Sequence, residues 1–116
     1  MRRDLRVFLL DIEQAARDII TFTQDSSLKE YAANKMMRMA VEREFSIIGE
    51  AIVRARVHFP KAMEGIGSAR AIIAFRNHLV HGYETIRDET VWEAIQKSLP
   101  VLLDDVARLL NQTHTE

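Results

Sequence analysis

The chain has 116 residues, 47% hydrophobic and 28% charged, enough for one packed domain and too apolar for a disordered chain. Sixteen Lys and Arg against seventeen Asp and Glu leave a formal net charge of −1, which excludes a broadly basic nucleic-acid binder. The absence of cysteine excludes disulfides, thiolate metal centres and a cysteine nucleophile, and four Gly with two Pro are too little punctuation for an all-β chain.

The first predicted helix runs from about Arg3 to Phe22. Leu5, Phe8, Leu9, Ile12, Ala16, Ile19 and Phe22 (or Thr23) recur at steps of three and four, with polar residues on the other side. Asp25-Ser26-Ser27 breaks the pattern, and Ser27-Leu28-Lys29-Glu30 reads as a capping box. A long second helix is predicted from about Leu28 to Val57, with a bend near Ala33-Asn34. Its stripe is Met37, Val41, Ile48, Ile52 and Ala55, widened by Met36, Ala40, Phe45, Ile47 and Ala51. Gly49 lies inside it, where glycine costs on the order of 1 kcal/mol relative to alanine; a close approach of another helix explains that choice. His58-Phe59-Pro60 ends the helix.

Ser68 is the expected N-cap of a third helix reaching about Leu79, with Gly82 as a stop. Asp88 is the expected cap of the fourth, whose stripe is Trp92, Ile95, Leu99, Leu102, Val106 and Leu109. Pro100 lies within it and should kink it or delay its regular hydrogen bonding. The polar tail from Asn111 to Glu116 is expected to fray. The expectation is an all-α, antiparallel up-and-down bundle of about four to five helices, a single domain over residues 1–116. Met36, Met37 and Met39 read as filler for the core or a dimer interface, and Trp92 as a core anchor.

The longest run without a charged residue is seven, far below the roughly 20 of a spanning helix. Asp11, Glu13, Arg17 and Asp18 interrupt any export-signal core, so a cytoplasmic location is the default expectation. Charge is uneven along the chain: residues 51–83 carry +4 and residues 84–116 carry −4. The basic third holds Arg54, Arg56, Lys61, Arg70 and Arg76 with His58, His78 and His81. Either this patch suits an anionic ligand such as RNA, or the basic and acidic segments pair across the bundle.

Polar chemistry is densest in Arg76-Asn77-His78-Leu79-Val80-His81-Gly82-Tyr83. Arginine suits phosphate oxygens, histidine exchanges a proton near neutrality, and tyrosine adds a hydroxyl and a stacking face. Asn77 and His81 share a helix face, so Asn77 can orient the imidazole. Arg76 and His81 are five apart, about 140° around a helix, and converge only if the helix ends near Val80 or a second subunit contributes. The bland alternative is that Arg76 and His81 only satisfy C-terminal carbonyls. Glu50 either pairs with an arginine of the bundle or supports the motif by holding Arg76.

This segment resembles the R-x4-H-x-Y signature of HEPN-domain ribonucleases in the HepT form of toxin–antitoxin modules. The likeness covers nearly the whole chain. Asp11-Ile12 falls in the family's first-helix pattern, Ala40-Val41-Glu42-Arg43 through Ile47-Ile48-Gly49-Glu50-Ala51 looks like its second-helix signature, and Val91-Trp92 and Leu99-Pro100 match its last helix. Where the family often has an aromatic residue early in the third helix, this chain has Ala69 or a neighbour; at the later position where the family commonly has a small residue, Ala74 agrees. The resemblance implies a homodimer whose two motifs line one cleft, acting as a metal-independent endoribonuclease with no cofactor. It implies His81 as general acid/base for attack of the 2′-hydroxyl, Arg76 as phosphate stabiliser, Asn77 as positioning residue for His81 or the phosphate, Tyr83 as completing the site, and a 2′,3′-cyclic phosphate product. His78, Arg54, Arg56 and Arg70 are candidates for RNA contact. The implied partner is an MntA-type nucleotidyltransferase antitoxin, which transfers AMP to Tyr83 in a type VII toxin–antitoxin module. The rival reading is a non-catalytic helical adaptor of such a transferase, and a third is a purely structural dimerisation bundle.

Overall fold

In the computed structural model, which describes residues 2–81 and 86–114, helix α1 spans Arg2–Thr23 and buries the predicted stripe. Leu5, Leu9, Ile12, Ala16 and Ile19 are in the core, with Phe8 half-buried at its edge. At the last position Thr23 goes inside and Phe22 remains 42% exposed. Burial is possible for Thr23 because its hydroxyl donates to the Ile19 carbonyl at 2.8 Å, leaving no unmatched polar group. Asp25 then takes φ 65, the left-handed conformation that reverses a chain leaving a helix.

Helix α2 (Leu28–Ala33) opens with the predicted capping box: Glu30 N–H donates to Ser27 Oγ at 3.1 Å, and Ser27 N–H to Glu30 Oε1 at 2.9 Å. The expected long helix is in fact two, interrupted at the bend expected near Ala33-Asn34. Asn34 breaks it at φ −110, ψ 95, and α3 runs Lys35–His58. This asparagine serves both ends, its N–H donating to the Tyr31 carbonyl at 3.1 Å and its Oδ1 accepting from Met37 N–H at 3.0 Å. Helix α2 buries Tyr31, whose ring lies 5.6 Å from that of Trp92. Burial, reinforced by the charges of Glu42 and Asp88, pushes the Tyr31 phenol well above its ordinary range.

Helix α3 buries Val41, Phe45, Ile48, Gly49, Ala51, Ile52 and Ala55. In its first turns Met37 packs against the core, while Met36, expected to widen the stripe, is 81% exposed and Met39 is 61% exposed, so neither fills the core. Pro60 stops α3 and becomes the first residue of a short turn, α4 (Pro60–Met63).

Helix α5 spans Ala69–His81. The Ser68 carbonyl accepts from Ile72 N–H, yet its hydroxyl is buried without a partner among the described residues, so the side chain does not cap the helix. At α6 (Asp88–Glu93) the cap position belongs to Arg87. Asp88 stands one residue inside, where its charge favours the helix dipole. Helix α6 runs through a π segment (Ala94–Ser98) into α7 (Leu99–His114), where Leu99 N–H reaches back five residues to the Ala94 carbonyl. This is the expected delay around Pro100, which lacks the N–H that the Gln96 carbonyl would otherwise accept. The helix continues past Asn111 instead of fraying there, helped by Arg6, whose Nη1 donates to the Leu110 carbonyl at 3.0 Å and to Thr113 Oγ1 at 3.1 Å. Of the predicted stripe, Ile95, Leu99, Leu102, Val106 and Leu109 are buried and Trp92 is half-buried.

The result is an all-α bundle with α3 at its centre, packed on α1 and α5, while α7 covers α1. No described helix is long and apolar enough to cross a membrane.

Between α1 and α3 two carboxyl groups meet. Glu44 is pushed up to about 7 by burial, by its hydrogen bond to Asp18 and by the Asp18 charge, against the pull of Arg43. Asp18 is lowered, chiefly by the hydrogen bond from Glu44 and then by that from Gln14 Nε2 at 2.9 Å. A carboxyl whose folded value is raised stabilises the fold at low pH and loses that contribution as pH rises from its unfolded value, here 4.5, to about 7. Glu44→Gln, which keeps a donor toward Asp18 without the charge, should therefore match wild type near pH 4 and melt higher near pH 8. Thermal melts at the two pH values check this, and an equal shift at both would refute it.

Candidate active site

Helix α5 lies against α3 with the two backbones unusually close at Gly49. A Cβ at position 49 would stand 2.4 Å from Arg76 Cβ and 2.5 Å from its Cγ, closer than real Cβ contacts come. Gly49 thus opens the groove in which the Arg76 stem lies, which is the close approach expected from its place in the sequence.

The guanidinium is held from two sides. Arg76 Nη2 donates to Glu50 Oε2 at 2.7 Å, and Nη1 donates to Asn77 Oδ1 at 3.0 Å. The other oxygen of Glu50, Oε1, takes Arg54 Nε at 3.2 Å. Arg76 Nε is buried and has no hydrogen-bond partner among the described residues. Arg76 is the most enclosed of these groups, its side chain 24% exposed against 45% for Glu50 and 67% for Arg54. So Glu50 does both things that its position allows: it pairs with bundle arginines, and it holds Arg76.

Arg76, Glu50 and Arg54 line a cleft of about 330 Å³. Its floor is α3 from Arg43 to Arg54, with Phe8 and Asp11 of α1 on one side and Arg76 and Val80 of α5 on the other. Arg54, one of the candidate RNA contacts, is therefore in the Arg76 cleft. Arg56 and Arg70 are not: they flank a separate recess near Pro60 and Ile66, at the other end of α5. The basic third is thus divided between two places, and Arg54 and Arg76 take a carboxylate from α3 instead of from the acidic last third.

Helix α5 stays helical through His81, so Arg76 and His81 point about 140° apart. His81 is exposed in the last turn, and His78 is exposed as well. Asn77 Oδ1 faces Arg76. Gly82 and Tyr83 lie outside the described residues. Among the described residues, no group of three or more His, Asp and Glu is placed to hold a metal ion.

Sequence reasoning passed over Arg43 and Asp11 as site residues. A signal was present: Arg43, Ile47, Glu50 and Arg54 recur at steps of four, three and four, tracing one face of α3 that is too polar for the core.

The family model described as Ribonuclease HepT-like matches residues 12–109. The chain belongs to the HepT-like ribonuclease family. Among its relatives, a Methanocaldococcus jannaschii protein named "Putative RNase MJ1380" is 33% identical over 90% of this chain and 95% of its own length. A second from the same organism, named "Putative RNase MJ0127", is 29% identical over 99% and 94%. A Thermococcus cleftensis protein named "Probable ribonuclease HepT" is 28% identical over 88% and 92%. No solved structure matches the chain.

Proposed function

We propose that the chain is a metal-independent endoribonuclease, the toxin of a type VII toxin–antitoxin module, active in the cytoplasm as a homodimer. The observation that carries this reading is the Arg76 guanidinium, fixed by Glu50 and Asn77 at the wall of an open cleft. Each terminal nitrogen uses one N–H there and keeps one, which leaves donors for the oxygens of a phosphodiester.

In the reaction, His81 takes the proton from an RNA 2′-hydroxyl as that oxygen attacks the adjacent phosphorus. The bond to the 5′-oxygen breaks, and the departing oxygen receives a proton from the imidazolium. The products are a 2′,3′-cyclic phosphate and a 5′-hydroxyl end. Arg76 offsets the charge that grows on the phosphoryl oxygens, and Asn77 keeps the guanidinium in place. The 140° separation on α5 supports a dimer, because a partner's motif would bring a histidine to each arginine. The nucleotidyltransferase partner would silence the site by adding AMP to Tyr83, placing a bulky anion near Arg76.

The test is RNA cleavage in EDTA by protein freed of partner and of AMP. Wild type should cut, while His81→Ala and Arg76→Ala should not; equal or absent cleavage in all three would sink the nuclease reading in favour of the adaptor. In a parallel arm, a cognate nucleotidyltransferase with ATP should add mass in AMP units to wild type, and a gain that persists in Tyr83→Phe would remove Tyr83 from the scheme.

A further inference from the structure

The Arg76 cleft contains a carboxylate that the proposed chemistry does not use. Glu50 has both oxygens engaged by arginines. Asp11 lines the same cleft from α1, is exposed, and makes no hydrogen bond or ion pair among the described residues. A free carboxylate repels phosphate, so in a cleft that takes RNA it suits a part of the nucleotide that presents hydrogen-bond donors.

Phe8 stands three residues before Asp11, on the same face of α1, and also lines the cleft. Its ring is nearly parallel to that of His58, at 6.3 Å and 13°. An aromatic ring beside a free acceptor pair is a combination that can hold a nucleobase: a ring face supplies sequence-tolerant stacking, the carboxylate supplies choice. An ionised carboxylate only accepts, and its two oxygens match two adjacent donors. Among the four RNA bases, guanine alone presents adjacent N–H donors on its Watson–Crick edge, at N1 and the 2-amino group. Arg43 lies farther along the α3 floor and makes no hydrogen bond or ion pair among the described residues, so a cation is available for backbone phosphate. The volume of about 330 Å³ lies at the small end of ligand sites, suited to one nucleotide.

We infer that this cleft is a guanine-selective nucleotide subsite, with Asp11 reading the base, Phe8 stacking on it and Arg43 holding phosphate. The inference rests on the ribonuclease reading, which makes RNA the ligand. Its consequence is that cleavage falls beside guanosine.

The test has a binding arm and a cleavage arm. Wild-type protein is titrated with GMP, AMP, CMP and UMP while amide shifts of residues 8–11 and 46–51 are followed by NMR. GMP should bind at least about tenfold tighter than the others, the scale of one bidentate base contact. Asp11→Asn should erase that preference. Phe8→Leu should weaken all four nucleotides alike and leave the preference intact. Equal binding of the four, no saturable binding, or a preference that survives Asp11→Asn overturns the subsite. Mapping of RNA ends made by wild type and Asp11→Asn completes it. Cleavage without base preference overturns the subsite and leaves the nuclease standing; GMP binding in the cleft without any cleavage does the reverse.

Discussion

Gly49→Ala is expected to lower RNA cleavage by about 100-fold while changing stability by no more than about 2 kcal/mol. The two effects separate because they have different origins. A methyl group at 49 meets the Cβ and Cγ of Arg76, the part of that side chain nearest its backbone, which cannot swing away. Relief requires α3 and α5 to part by about an ångström, with overpacking of this kind costing about 1–3 kcal/mol. Replacing a mid-helix glycine returns about 1 kcal/mol, so the net loss is modest. The guanidinium, however, moves with α5, and a displacement of that size is enough to misplace a phosphate contact. Urea melts with single-turnover cleavage measure both. Gly67→Ala is the control, since nothing lies within 4 Å of the added Cβ, and it should leave both unchanged. Activity within a few-fold of wild type in Gly49→Ala would show that the close approach does not position Arg76.

The second large effect is expected from Arg76→Lys. Charge is conserved, but the two-sided grip is not. Lysine cannot reach Glu50 and Asn77 from separate nitrogens and still face the cleft, because its ammonium is a single point. Loss of one preorganised donor toward developing charge costs about 2.7–4 kcal/mol of barrier, so cleavage should fall about 10²–10³-fold. Glu50 keeps Arg54, and no carboxylate is stranded, so the fold should tolerate the change. The rate constant at saturating RNA is the quantity to compare. A variant that binds RNA less well but cuts at the wild-type rate would assign Arg76 to binding alone.

Much of the bundle is legible because helical periodicity is local. The stripes of α1 and of α6 through α7 follow directly from steps of three and four, and the capping box needs only Ser27 and Glu30. Two expected caps fail for a local reason: a serine or aspartate near a helix start does not fix which residue stands at the boundary. Ser68 turns its hydroxyl inward, and Asp88 enters the helix by one residue. The bend expected near Ala33-Asn34 falls where the helix breaks; that it is a full break follows from Asn34 serving both neighbours at once, a cap geometry the sequence pattern does not mark. At the site, the motif marks Arg76 and Asn77, and Gly49 is visible as a misplaced glycine. Glu50 holding Arg76 is one of two readings the sequence leaves open; that it does so while also pairing with Arg54 depends on how α3 and α5 cross, 26 residues apart, which no local pattern encodes.

The break at Asn34 has a spectroscopic consequence. Trp92 is the chain's single tryptophan, and its ring lies against Tyr31 on the short helix that the break detaches from α3. Intrinsic fluorescence therefore watches the seam between α2 and α6, on a part of the bundle that contributes no wall to the Arg76 cleft. Emission and far-ultraviolet circular dichroism, followed together through denaturation, distinguish release of this one helix from collapse of the whole.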